Sequence, residues 1–271
     1  MFAEPPRSEY DLHFRLFGLP VRVHPLFWAV SLFLGMSGSI EDMSLWLLTL
    51  GSWVAAVFLS ILVHELGHAL PLARFYGART WIILYGMGGL ACHEPYYRKR
   101  VPGTWGTIAY TAAGPFAGFS LAAVLVAILL LCRIEVLLEW IAFGDWIFIP
   151  CISVNPVSFV QCVSFLPKYG IFALYELVNN IFFISIFWGL MNLLPLYPLD
   201  GGQISREFFL MLDRRSGIAN SLWLSVFTGG VIAVLGFLQW VNVREMQGIP
   251  FIPLLFGYLA FQSYRMLEGR G

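Results

Sequence analysis

The feature that most constrains this chain is a series of long apolar stretches with almost no charge inside them. Six stand out, at about residues 25–41, 46–73, 107–132, 172–196, 220–241 and 249–266. A helix in a water-soluble domain needs a polar face as well as an apolar one. These stretches are apolar all round, and most approach the roughly 20 residues that a helix needs to cross a bilayer. The composition agrees. The chain is 59% hydrophobic and 12% charged, against about 45–50% and about 25% in soluble domains. Water has no place for that much apolar surface, so the lipid bilayer is the expected solvent. The expected organisation is a polar N-terminal arm at 1–22 and one transmembrane domain at 23–271. The fold class is an all-α polytopic membrane protein with about six transmembrane helices. The formal net charge is zero, which gives nucleic acid no basic face to bind.

Four segments do not read as spans. The arm carries acids and prolines and lacks the apolar core of a signal peptide. Residues 75–100 contain YGMGGLACHEPYYRKR. Their glycines oppose a long helix, and the Ile/Leu/Tyr run before them predicts short strands with a turn. A Gly-rich connector is the alternative. Residues 134–170 are mixed and predict an interfacial helix over part of their length. Residues 201–219 read as a link.

Orientation follows from Lys and Arg, which concentrate in cytosolic loops. With a cytosolic N-terminus and six spans, 13 of the 16 Lys and Arg fall inside and three outside. Both termini are therefore expected in the cytosol. The short chain and its charge bias fit a prokaryotic plasma membrane. The four cysteines show no C-x-x-C spacing, so a cysteine metal site is not expected. Cys151 and Cys162 share one connecting segment and read either as a pair or as two free thiols.

The chemistry lies in ILVHELGHAL, where His64, Glu65 and His68 form H-E-x-x-H within the second span. On a helix, His64 and His68 lie one turn apart on one face. Two neutral imidazoles there can bind one zinc ion. Glu65 can then act as general base toward a water whose pKa zinc lowers to about 7. Ionisable groups inside a span are costly and usually functional. A catalytic zinc commonly has a third protein ligand. The fourth span ends in MNLLPLYPLDGG, with Asp200 beside Gly201 and Gly202. In the expected topology the second and fourth spans both run outside to inside, which brings His64, His68 and Asp200 to the cytosolic side. Pro195 and Pro198 break the helix before Asp200. Glu176 is the rival third ligand, but it lies at the opposite end of the fourth span.

HELGH in one span and N-x-x-P-x-x-x-x-D-G in a later one (Asn192, Pro195, Asp200, Gly201) resemble the site-2 protease family of intramembrane zinc metalloproteases. AGPFAG, with Gly114, Pro115 and Gly118, is similar to that family's central Gly-Pro motif. The resemblance covers about residues 50–210. It implies a three-helix catalytic core with one zinc ion held by His64, His68 and Asp200, and Glu65 as general base. It also implies that Asn192 bonds the substrate backbone or the developing oxyanion; the alternative for Asn192 is a bond between helices. YGMGGL resembles the family's strand-like loop near the active site, where an unwound substrate could pair by β-addition. The implied partner is a membrane protein with a transmembrane segment. Two other readings compete. A non-catalytic zinc-binding membrane protein would not need Glu65. A transporter would spread polar residues along several spans.

Overall fold

The computed structural model describes residues 4, 6–36, 42–86, 88–94, 100–143, 147–242 and 251–269. Met87, Arg98, Lys99, Asp145, Arg244 and Arg270, which entered the sequence reading, lie outside them. Helices dominate, as expected. They are α1 (Pro25–Gly35), α2 (Met43–Tyr76), α3 (Thr104–Leu131), α4 (Pro156–Cys162), α5 (Lys168–Asn192), α6 (Asp200–Leu212), α7 (Gly217–Asn242) and α8 (Phe251–Glu268). Strands are β1 (Leu12–Leu16), β2 (Leu19–Val23), β3 (Thr80–Tyr85), β4 (Gly88–His93), β5 (Val136–Phe143) and β6 (Ile147–Val154).

Among the described residues, four helices are long and apolar enough to cross a membrane: α2, α3, α5 and α7. The six-span expectation counted α1 and α8 as well. α1 has only 11 residues, about 16 Å of rise, roughly half of the hydrocarbon core. α8 has 18 residues and is not among the four. α2 shows why the sequence makes so long a helix. The Asp42 side chain caps it by accepting from the amides of Ser44 and Leu45, and Gly77 stops it in the left-handed region at φ 61°.

α2, α3 and α5 form the core. The Ser52 hydroxyl donates to the Ala173 carbonyl and the Ser185 hydroxyl to Ser60. Residue numbers rise together in both pairs, so α2 and α5 run parallel. α3 returns between them, with Gly106 against Tyr76 and Gly118 against Ser185. In lipid no hydrophobic force drives helices together, so close approach by small residues and hydrogen bonds must do it.

The strand content corrects the all-α expectation. β1 to β4 form one sheet in that order, with β2 and β3 parallel and the outer pairs antiparallel. The expected strands at 75–100 are β3 and β4, but residues 12–23 of the arm join them as a hairpin. Phe17 and Gly18 form its two-residue loop, both at positive φ (50° and 82°), which suits the twist of a tight hairpin. The arm's alternating LHFRL and LPVRV were masked by its charges. Val21, Val23, Ile82 and Leu84 pack with Ile61, Leu62 and Leu66 of α2 in one buried cluster. The sheet therefore packs on the middle of α2. α1 leaves it beside Phe58 and ends against Leu50 and Trp53.

Residues 134–170 also differ from expectation. Helix forms over part of them, as the short α4, but β5 and β6 precede it as an antiparallel two-stranded sheet that the sequence reading did not expect. IFIPCISV is rich in β-branched residues, and strand pairing supplies backbone partners that a lone helix would supply internally. All four cysteines are free, including Cys151 and Cys162.

Candidate metal centre

α2 carries His64, Glu65 and His68 on its buried side, and all three are buried. The imidazole rings lie 4.9 Å apart at 79°, as one helical turn dictates. Asp200 opens α6 and is also buried. The turn from Leu193 to Leu199 brings it back onto α2. A side chain at Gly201 would strike the carbonyls of Leu193 and Leu194, and one at Gly202 the backbone of Leu196 and Tyr197. The double glycine thus lets α6 start hard against the turn, which aims Asp200 inward.

Three atoms converge. His64 Nε2 and His68 Nε2 are 3.2 Å apart, and Asp200 Oδ2 lies 3.2 and 3.3 Å from them. This triangle is the only group of three or more metal-ligating side chains among the described residues. Atoms bound at about 2.0–2.1 Å around a tetrahedral zinc would be about 3.3–3.4 Å apart, so the triangle matches one face of that tetrahedron. The hydrogen bonding points the same way. His68 Nδ1 is 2.9 Å from the Tyr110 carbonyl, so it carries the proton and leaves a lone pair on Nε2. Asp200 Oδ2 is buried and makes no aligned hydrogen bond. With the rings neutral, that lone pair and a carboxylate oxygen held this close repel each other unless a cation, either a metal ion or a proton shared with the imidazole, lies between them. The donor set therefore fits a metal ion.

α3 backs the pair. A side chain at Gly114 would overlap the His68 imidazole, so only glycine leaves room for the ring to reach its Tyr110 partner. On the other side lies β4, the edge strand of its sheet. A side chain at Gly89 would overlap the Glu65 carboxylate, and the Ala91 amide donates to that carboxylate. The free edge of β4 therefore runs past Glu65.

Asn192 is the last residue of α5 and is buried; its side-chain amide donates to the Trp188 carbonyl at 2.9 Å. Trp188 packs in turn against Gly88 of β4. Glu176 lies in the first half of α5 and takes no part in the cluster. His93 closes β4 opposite Thr80 and likewise stays outside it. Reading the sequence missed the Tyr110 carbonyl and the approach of Gly89 to Glu65, and it named Gly114 without its contact to His68. AGPFAG signalled the last, but the first acts through its backbone and left no side-chain signal.

The chain is similar to known proteins. A sequence model of peptidase family M50 matches residues 52–236. The chain is similar to a protein named zinc metalloprotease from Methanocaldococcus jannaschii, with 25% identity over 261 residues. That match covers 94% of this chain, which spans 60% of the relative's length. The solved structure of a site-2 protease from the same organism matches with 21% identity, a TM-score of 0.49 and 95% coverage of each chain.

Proposed function

The chain belongs to peptidase family M50, the site-2 protease family that its motifs resemble, and from that premise we propose that it is a zinc metalloprotease that hydrolyses peptide bonds in or near the transmembrane segments of membrane-protein substrates. The observation that carries the reading is the triangle of His64, His68 and Asp200 at 3.2–3.3 Å with Glu65 buried beside it. Those three residues would hold one ion per chain. When bound, zinc supplies Lewis acidity toward a water and toward the scissile carbonyl.

The chain's own residues do the rest. Glu65 takes the proton of the attacking water and later gives it to the leaving amine, a general base turned general acid. Its neighbour β4 offers a free strand edge. A transmembrane substrate hides its carbonyls in its own helical hydrogen bonds, so it must unwind before it can be cut. Pairing with β4 by β-addition would hold the unwound segment extended beside Glu65. Asn192 ends α5 one turn from Trp188, which packs on Gly88 of β4, and on turning from the Trp188 carbonyl it would donate to the oxyanion.

The catalytic core comprises α2, α3 and α5, within about residues 50–210 of a single transmembrane domain that follows the 1–22 arm. The metal-bearing end faces the cytosol in this reading, because it collects most of the Lys and Arg. Both termini lie on that side. α1 and α8 complete six crossings. The membrane is a prokaryotic plasma membrane.

A purely structural zinc site would have no use for Glu65, a buried carboxylate poised next to the ligands. The test is Glu65→Gln in the full chain in detergent or vesicles. It should keep about one zinc per chain and lose cleavage of a membrane-anchored peptide. A variant that cleaves at the parent rate removes the mechanism; a parent that binds no zinc removes the metalloprotease reading altogether.

A further inference from the structure

α7 and α8 carry none of the residues named above, yet they meet the metal centre through one turn. Leu196 is fully buried and packs with Phe256 and Leu259 of α8. The next residue, Tyr197, has both backbone groups bonded by serines of these helices. Its amide donates to Ser225 Oγ of α7 at 3.0 Å, and its carbonyl lies 3.4 Å from Ser263 Oγ of α8. Both serines are completely buried. Ser225 donates in turn to the Ser221 carbonyl, and the single Ser263 proton is shared between the Leu259 carbonyl at 3.0 Å and the longer contact to Tyr197. Gly229 makes the convergence possible, because a side chain there would press on Leu196, Ala260 and the Phe256 carbonyl.

Buried serines in a membrane helix commonly bond only to their own backbone, as Ser31 does to Phe27 in α1. Ser225 does more: it accepts from a non-helical amide of another segment. That amide sits three residues before Asp200 and has no helical partner. Pro195 and Pro198 flank the segment and offer no amides of their own. Left unpaired in an apolar surround, the Tyr197 amide would be costly, so the turn has one favourable seat.

We infer that α7 and α8 form a clamp, through Ser225, Ser263 and the seat of Leu196, that sets the position of the Asp200 ligand. Ser225 and Ser263 are positioning residues for the metal centre. They touch neither the ligands nor the substrate. The inference rests on the metal-site reading above, and it assigns a role to helices outside the three that carry the chemistry.

The test has two readouts on the full chain in detergent, with Ser225→Ala, Ser263→Ala and, as a buried-serine control, Ser31→Ala. The first is cobalt(II) titration followed by the visible spectrum of the bound ion. Loss of a supporting bond typically costs 10–100-fold in metal affinity, so Ser225→Ala should bind about tenfold or more weakly with an altered spectrum, and Ser31→Ala should match the parent. The second is hydrogen–deuterium exchange of the peptide 193–203 without metal. Its amides should exchange faster in Ser225→Ala and Ser263→Ala and not in Ser31→Ala. Unchanged exchange in both clamp variants would overturn the clamp, as would faster exchange with parental cobalt affinity and spectrum. A parent that takes up no cobalt or zinc overturns the metal reading instead, and exchange still decides whether the turn is clamped.

Discussion

The two sheets of this protein sit at opposite ends of the same three helices. The four-stranded sheet meets α2 beside Glu65, where α2 and α5 approach the metal ligands. The β5–β6 hairpin follows the far end of α3 and rests on the first half of α5. There the Asn179 side chain accepts from the Val154 amide at 3.0 Å, and Ile134, Val154 and Phe159 pack with Val178 and Phe182. Both regions are small sheets in an apolar protein, and the backbone groups on the outer edges of such sheets must find partners. They solve the problem differently. The far hairpin pairs its two strands with each other, takes further bonds from Asn179 and Tyr175 of α5, and anchors its base in an apolar cluster. The near sheet turns one edge to the site, with the Ala91 amide given to Glu65. In the proposed function one region serves stability and the other chemistry.

Four substitutions or conditions would break or sharpen that contrast. The largest effect belongs to Gly89→Val, which drives a side chain into the Glu65 carboxylate. Loss of a positioned general base costs about 10²–10⁴-fold. We expect a fall in kcat of that order with zinc content unchanged; a parental rate would mean that the β4 edge does not set Glu65. Next comes Gly114→Ala, which crowds His68. Cobalt or zinc affinity should drop about 10–100-fold, measured by competition with a chelator. At the far end, Asn179→Ala leaves the Val154 amide unpaired at a cost of about 1–3 kcal/mol. The thermal midpoint should fall while metal affinity and the kcat of folded protein hold. If metal affinity falls too, the two ends are not independent.

The smallest effect concerns the outer face of the near sheet. Buried Arg22 bonds Asp11 at 3.2 Å and Glu4 at 3.4 Å. Burial pushes the Asp11 carboxyl up, but the Ser8 amide and the Arg22 guanidinium pull it further down, to below its ordinary 3.8. A carboxyl lowered by folding adds stability above its unfolded pKa and loses it as pH falls through the folded value. The parent's advantage in thermal midpoint over Asp11→Asn should therefore be full above pH 3.8 and shrink below it. An advantage that does not change with pH would mean that the Asp11 charge does not contribute.

Much of this was legible in the residues. The spacing of His64 and His68 needs only helical periodicity, and the Glu between them needs only the motif. Asp200 was reached through topology, from two spans running the same way, and the parallel packing of α2 and α5 supplies that direction. The extra strands were harder. LPVRV alternates, but its charges made the arm look solvated. Only pairing with β3 reveals that Arg22 is buried and matched by acids. The first span was expected as a helix over 25–41, and α1 stops at Gly35, because apolar length alone does not fix where a helix ends.

The division has a physical reason. The sequence by itself determined what depends on local chemistry: apolar runs that need lipid, a helical pair of histidines, a proline-broken end with an aspartate and two glycines. The tertiary structure alone decided what depends on distance between segments far apart in the chain. It brought Gly89 against Glu65 and Gly114 against His68, and it set Ser225 under the Tyr197 amide. These are contacts of backbone and empty space, and neither leaves a pattern in a single sequence.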